Sequence, residues 1–151
     1  MGTKRVGWAR IRSLINENQN DLYRRKATTK SVTSDTTLTA ADSGKIILMS
    51  NNGVDITLPV PEAGMTFTII QVRDWDTANC TVDAGTYVMG GSVAGVAADS
   101  NNLAVVATDT KCTFGSATLA GDQITLVSDG NKWYVSGIGA AGGANGITFG
   151  T

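Results

Sequence analysis

The sequence contains no histidine among its 151 residues. This absence excludes serine–histidine and cysteine–histidine nucleophile pairs, imidazole general bases and histidine-ligated metal ions in one step. Carboxylates, lysines and two cysteines are the groups left for catalysis, and the sequence arranges them in no convincing triad, dyad or metal cluster. We therefore expect that the protein is not an enzyme and that it has no catalytic residue, no cofactor and no metal ion.

Cysteine and proline are scarce, with two of each. Cys80 and Cys112 can form at most one disulfide, and both fall inside predicted strands, where a small buried thiol is the commoner role. Nothing in this cysteine count requires an oxidising compartment.

Long apolar runs are missing as well. The basic N-terminal region lacks the apolar core of a signal peptide, because Arg10, Arg12, Asn16 and Glu17 interrupt it. No stretch approaches the roughly 18 apolar residues that a membrane-spanning helix needs. We expect a protein that is made in the cytoplasm and has no membrane partner.

Charge is present but is divided unevenly along the chain. Residues 1–30 contain eight Lys and Arg against two acidic residues, a net charge of +6, whereas residues 31–151 contain four basic and eleven acidic residues, a net charge of −7. The total of −1 therefore hides a basic arm joined to an acidic domain. This division is typical of a chain that uses one part to attach to a partner and displays the other.

The basic arm is predicted to be a helix from about Val6 to Arg24. Its apolar positions repeat near i, i+3, i+4, i+7 and i+11, which places them on one stripe; they are Ile11, Leu14, Ile15 and Leu22, with Asn18 completing the spacing. The stripe packs either on the chain's own domain or on a partner. A partner is favoured, because Arg24 to Thr37 has only Ala27 and Val32 as apolar residues and reads as an extended linker without a core.

From about Leu38 to Gly137 the apolar pattern has a period of two, with turn residues between short segments. The firmest local prediction is a hairpin around Asp129-Gly130-Asn131 that places Ile124, Leu126, Trp133 and Val135 on one face. The predicted strands are marked by Ile46 and Leu48, by Ile56, Leu58 and Val60, by Phe67, Ile69 and Gln71, and by Cys80–Asp83, Tyr87–Met89, Leu103–Thr108, Lys111–Ser116, Ile124–Ser128 and Lys132–Gly137.

These patterns predict a mainly β fold with a compact β-sandwich or barrel. An N-terminal amphipathic helix and basic arm precede this domain, and a Gly-rich C-terminal tail follows it. The predicted units are the arm and linker at residues 1–37, the β-domain at 38–137 and the Gly/Ala-rich tail at 138–151, in which Gly and Ala fill no core.

Three weaker signals have simpler interpretations. Asp74 and Asp76 are interpreted as part of an acidic loop, not as a metal site. The Gly90–Gly95 segment lacks the Lys-Ser/Thr ending of a phosphate loop and is interpreted as a flexible turn. A sugar-binding platform is less favoured than core and strand packing for the aromatic residues Trp75, Tyr87, Trp133 and Tyr134.

Nucleic acid is a possible partner of the basic arm, since Lys and Arg beside Trp8 and Tyr23 could track phosphates and stack on bases. The apolar stripe on the same helix requires a hydrophobic groove, and the acidic domain would repel a polyanion. An acidic protein surface is therefore favoured, and we do not expect nucleic acid as a partner.

The N-terminal segments Met1–Gly7, Ala9-Arg10 and Ser13–Asn18 resemble the N-termini of small virion structural proteins from tailed phages of aquatic bacteria. Ser43–Ile46, Ile56–Pro59, Ala63–Thr68 and Ile124–Tyr134 are similar to β-domains of phage decoration and fibre proteins. This resemblance covers most of the chain. The matching motifs are those of structural β-domains and include no catalytic motif.

The resemblance implies a capsid decoration, or cement, protein that binds the outer capsid surface and stabilises the shell by bridging capsid subunits. The implied partner is the major capsid protein, the implied assembly is a homotrimer, and the implied location is the capsid exterior of a virion assembled in the host cytoplasm. We expect the arm to make the contact through these residues: Arg5, Trp8, Arg10, Ile11, Arg12, Leu14, Ile15, Arg24 and Arg25. The alternatives are a fibre, spike or tail structural protein, with a β-domain that binds a receptor or glycan.

Overall fold

The computed structural model describes residues 7–23, 28–74, 78–95, 103–105, 108–140 and 145–151, with the backbone alone described at 17–23 and 103–105. Within these ranges the protein is mainly β, as predicted, with one α-helix, a 3-10 helix at Ala40–Asp42 and twelve strands. The helix α1 spans Trp8–Tyr23, where the pattern predicts Val6–Arg24. The strands are β1 Thr29–Val32, β2 Thr36–Thr37, β3 Ile46–Met49, β4 Asp55–Thr57, β5 Thr66–Gln71, β6 Cys80–Asp83, β7 Met89–Gly95, β8 Leu103–Val105, β9 Lys111–Phe114, β10 Gln123–Ser128, β11 Trp133–Gly139 and β12 Ile147–Gly150.

The strands form two sheets. The first has seven strands in the order β1-β3-β5-β10-β11-β7-β8, and the second has five in the order β12-β9-β6-β4-β2. Each sheet buries one face in a single apolar cluster, so the arrangement is compatible with the predicted β-sandwich. The largest fully buried side chains of this core are Trp133, Phe67 and Phe114, and the rings of Phe67 and Trp133 lie with centroids 5.6 Å apart.

Successive strands at the start of the chain lie alternately in the first and the second sheet. The strands β1, β3 and β5 are parallel neighbours in the first sheet, while β2, β4 and β6 are parallel neighbours in the second. The first six strands therefore alternate between sheets in the manner of a short β-solenoid. The later strands add antiparallel pairs, such as β10 with β5 and β9 with β6, and the parallel pair of β7 with β11.

The predicted hairpin is confirmed in β10 and β11. Leu126 pairs with Val135 and Ser128 with Trp133 across the antiparallel ladder, and Gly130 in the turn has a φ of 98°, a conformation that glycine adopts without strain. The four predicted inward residues, which are Ile124, Leu126, Trp133 and Val135, are all buried. The interpretation of Trp133 as a core residue is therefore confirmed.

The linker prediction is wrong for residues 29–37. This segment contains β1 and β2, and Val32 in β1 is 1% exposed within the core. One apolar side chain is sufficient there because backbone hydrogen bonds to β3 hold the strand in the sheet.

The C-terminal segment also differs from the predicted division after Gly137. The strand β11 continues to Gly139, and β12 pairs antiparallel with β9. Ile147 in β12 is 1% exposed and belongs to the core. Residues 141–144, within the predicted tail, lie outside the described residues.

The Gly90–Gly95 segment is not a flexible turn but lies within β7, with Val93 buried. Its glycine at 91 has a φ of 138°, and a Cβ built there would lie 1.9 Å from the carbonyl oxygen of Val135 in the parallel strand β11. Close backbone approach therefore explains Gly91. The strand predicted at Tyr87–Met89 begins instead at Met89, and Val60 is exposed beyond the end of β4.

A buried carboxylate fastens the N-terminal strand to the domain. Asp42, at the end of the 3-10 helix, accepts hydrogen bonds from Lys30 Nζ and Lys45 Nζ, both at 2.8 Å, and from the amide and hydroxyl of Thr39. The two ammonium groups are the largest cause that holds the pKa of the Asp42 carboxyl well below its usual range, against the opposing effect of burial. Lys30 lies on β1, so this cluster also fixes the strand that follows α1.

Both cysteines are free and buried, as the sequence predicts. They lie on neighbouring strands, with Val82 of β6 opposite Cys112 of β9, and Cys80 Sγ donates to the carbonyl oxygen of Asn51. Burial raises the pKa of both thiols. A thiol with a raised pKa supplies little thiolate, so neither cysteine is suited to nucleophilic chemistry.

Replacing Asp42 with Asn is expected to lower the free energy of unfolding by about 2–3 kcal/mol at neutral pH, because two charge-assisted hydrogen bonds weaken. The folded pKa lies below the unfolded one, so this stabilisation is present above the ordinary carboxyl pKa and is lost as the pH falls below it. Urea unfolding from pH 7 to pH 2 should give a flatter profile for D42N than for the wild type. Glu62→Gln removes an exposed carboxylate and serves as the control; equal losses in both variants would contradict the account.

Replacing Gly91 with Ala is expected to cost more than about 2 kcal/mol in thermal or urea unfolding, because the new methyl group overlaps the Val135 carbonyl. The matched variant Gly90→Ala adds the same methyl group one residue earlier, where no atom lies within 4 Å. Similar stabilities of the two variants would show that β7 and β11 are not packed as described.

Candidate functional site

The helix α1 begins where the backbone carbonyl of Gly7 accepts hydrogen bonds from the amides of Arg10 and Ile11, at 2.9 and 3.3 Å. No proline or run of β-branched residues interrupts its sixteen residues, so its sequence is compatible with an uninterrupted helix. Each residue from Gly7 to Asn16 is exposed. The described part of the predicted stripe, which is Ile11, Leu14 and Ile15, therefore reaches solvent instead of the core. The side chains of Asn18 and Leu22 lie outside the described residues.

Trp8 adds a fourth large apolar side chain beside these three, and we call the four the apolar stripe. Trp8 is 68% exposed, Leu14 51%, Ile15 49% and Ile11 36%. At 100° per residue these four positions fall within an arc of about 120°. Large apolar side chains concentrated on one exposed arc are typical of an interaction surface.

Two arginines border the stripe. By helical geometry Arg12 lies beside Trp8 on one border, and Arg10 lies beside Leu14 on the other. The Arg12 guanidinium carbon is 5.9 Å from the centroid of the Trp8 ring, within cation–π range. The ion pairs among the described side chains do not include Arg10 or Arg12.

The structure therefore brings six of the nine predicted contact residues together on the exposed part of α1 at residues 8–16: Trp8, Arg10, Ile11, Arg12, Leu14 and Ile15. Arg5, Arg24 and Arg25 lie outside the described residues. The opposite side of α1 carries Ala9, Ser13 and Asn16, which are small or uncharged. Substitutions at these positions can therefore serve as controls for substitutions in the stripe.

A second exposed surface was not predicted from the sequence. The outward positions of six strands in the seven-stranded sheet contain no charged residue, and we call this surface the uncharged face. Its residues are Thr29, Ser31, Ile46, Leu48, Thr66, Thr68, Ile70, Gly90, Ser92, Ala94, Gln123, Thr125, Val127, Tyr134, Ser136 and Ile138.

The sequence pattern did not reveal this face, because β3 has apolar residues on both of its sides. The alternating pair Ile46 and Leu48 points outward, whereas Ile47 and Met49 are buried. Only the pairing register shows that Ile46 lies beside Thr68, and that Thr68 lies beside Thr125. A period of two alone could not assign either face.

The hairpin turn at one end of the uncharged face orders an exposed tyrosine. The Asp129 carboxylate accepts hydrogen bonds from the amides of Asn131 and Lys132, at 2.8 and 3.0 Å, and from the Tyr134 hydroxyl at 3.0 Å. These bonds lower the pKa of the Asp129 carboxyl, the Asn131 amide having the largest effect. Lys132 Nζ lies 4.7 Å from the centroid of the Tyr134 ring.

The other chemical signals in the sequence do not assemble into a site. The described side chains include no cluster of three or more Cys, Asp or Glu that could hold a metal ion. Asp74 accepts a hydrogen bond from the Ala120 amide, while Trp75 and Asp76 lie outside the described residues. In the described part of the chain no helix is long and apolar enough to cross a membrane.

Comparison of the chain with protein-family models, with curated proteins and with solved structures finds no match.

Proposed function

We propose that the protein is a phage capsid decoration protein that attaches through α1 to the outer capsid surface and stabilises the shell by bridging capsid subunits. The observation that carries this proposal is the exposed apolar stripe of α1 with an arginine on each border. The phage setting comes from the resemblance of the N-terminal segments and the β-strand motifs to virion structural proteins. The proposal also treats the two-sheet domain as a β-sandwich displayed to solvent.

Charge supports an acidic protein surface as the partner of α1. Residues 1–30 have a net charge of +6, and a capsid exterior rich in carboxylates would attract them. Residues 31–151 have a net charge of −7, so the same surface would repel the domain and leave it pointing outward. The two charges thus orient the protein on the shell.

Apolar burial supplies the affinity. Covering a large side chain that is about half exposed gains on the order of 1 kcal/mol. The four described stripe residues therefore contribute about 4 kcal/mol before the entropy cost of association. A weak individual contact suits a decoration protein, because many copies that each bridge neighbouring subunits add their contributions on one shell.

A second candidate function is a fibre, spike or tail protein whose β-domain binds a receptor or glycan. The exposed Tyr134, held by Asp129 beside Lys132, is the observation that favours it. Trp133 cannot contribute to such a platform because it is fully buried. Loss of glycan or host-cell binding in Tyr134→Ala, with capsid association unchanged, would favour this candidate over decoration.

The stripe is tested by replacing Trp8, Ile11 and Ile15 with Ala, which preserves helix propensity. We expect binding to purified capsids, measured by co-sedimentation, to weaken about 100-fold, because about 3 kcal/mol of apolar burial is lost. Ser13→Ala with Asn16→Ala on the opposite side of α1 is the control, and its affinity should be unchanged. Equal binding by the triple variant and the wild type would overturn the proposed attachment.

The arginines are tested separately by Arg10→Gln with Arg12→Gln. We expect affinity to fall about tenfold at low salt and to become less dependent on salt, because screened charge pairs are removed. An unchanged salt dependence would contradict an acidic partner surface. Point variants are preferable to deleting residues 1–30, since that deletion would remove Lys30 from the Asp42 cluster and destabilise the domain.

A further inference from the structure

We infer that the uncharged face of the seven-stranded sheet is an interface at which two copies of this chain associate about a two-fold axis, each copy presenting the same face. Such a pair is a dimer and differs from the homotrimer that the resemblance implies. This inference does not depend on capsid binding, because it is drawn from residues of the sheet and not from α1. The occupant of the face is a second copy of the chain.

The composition of the face differs from that of a solvated sheet surface. None of its outward positions is charged, although Asp, Glu, Lys and Arg make up 17% of the chain. Val127, Tyr134 and Ile138 are each 45% exposed, and Ile46, Leu48 and Ile70 are partly exposed beside them. Depletion of charge around exposed aliphatic and aromatic side chains is characteristic of the core of an interface.

The outer face of the five-stranded sheet provides an internal comparison. Asp55, Asp83 and Lys111 point outward there, and Lys111 Nζ lies 3.4 Å from a carboxylate oxygen of Asp83. The same fold thus places charges on one outer surface and excludes them from the other. Strand structure alone therefore does not explain why the outer face of the seven-stranded sheet lacks charged residues.

Charge indicates a second copy as the occupant. The region 31–151 has a net charge of −7, so two domains repel one another across most of their surfaces. When two copies meet at the uncharged face, no like charges repel one another there, and no charged side chain must be desolvated. The charged side chains of Asp129 and Lys132 lie in the hairpin turn at the end of the face, where a rim is expected.

The polar groups of the face suit contact between identical surfaces. Thr68, Thr125 and Ser136 occupy one row across neighbouring strands. A hydroxyl both donates and accepts hydrogen bonds, so a row of hydroxyls can pair with its own copy. Carboxylates or ammonium groups could not do so, because identical charges would meet across a symmetry axis.

The size of the face is sufficient for a specific contact. Six strands spaced about 4.8 Å apart, with two or three outward residues each, cover roughly 500 Å² of flat surface. Two copies would therefore bury about 1,000 Å² in total, which reaches the lower range of specific interfaces. The expected association is specific but moderate in strength.

The test introduces one charge at the centre of the face in the full-length chain. Thr125 is the central outward residue of β10, the middle strand of the sheet. We expect the wild type to sediment as an assembly of copies and Thr125→Lys to weaken association at least 100-fold, because like charges meet across the interface. The matched control Thr113→Lys places the same charge on the outer face of the five-stranded sheet and should associate as the wild type does.

A mixing experiment keeps the test independent of folding. Thr125→Glu should also dissociate alone, and mixing it with Thr125→Lys should restore association because opposite charges then meet. Thermal unfolding of each variant establishes that the domain is folded. A wild type that remains monomeric at about 100 µM, or Thr125 variants that associate as the wild type does, would overturn the inference. Failure of the mixture to associate would also contradict it.

Discussion

Burial of apolar side chains between the two sheets is the interaction on which the rest of the structure depends. Each sheet has one face that must leave water, and the chain supplies both faces by crossing between the sheets along its first six strands. Parallel pairs among these six strands result from this winding. The separate parallel pair of β7 and β11 brings backbones so close that position 91 accommodates only glycine. The Asp42 cluster, the free cysteines and the hairpin all lie at or inside the boundary of this core.

The two sheets complete the core by themselves, so two partly apolar surfaces are not buried within the domain. The apolar stripe of α1 remains exposed with its bordering arginines, and the uncharged face remains on the outside of the larger sheet. The two surfaces differ in chemistry: one combines apolar side chains with positive charge, while the other combines apolar side chains with hydroxyls. A basic stripe suits a foreign acidic surface, and a hydroxyl-rich face suits its own copy. Together they are consistent with a protein that attaches to a larger assembly and also associates with itself.

Local patterns in the sequence predicted local structure well. The alternation in β5 and the turn chemistry at Gly130 identified β5, β10 and β11 of the large sheet, and the helical spacing of Ile11, Leu14 and Ile15 identified the exposed stripe. Pairing between distant segments was not predictable in this way. The short strand containing Val32 has too little apolar character to be recognised, and its place is set by hydrogen bonds to β3. The uncharged face is formed by residues from six strands, so it exists only once their register is known.

The most direct test of the proposed role is the copy number of this protein in purified virions, measured by quantitative mass spectrometry against the major capsid protein. Decoration of the capsid predicts a number comparable to that of the capsid protein, because each copy occupies a repeated position on the shell. A number tens of times lower would contradict decoration and favour a fibre, spike or tail component. Absence from the particle would contradict any virion role.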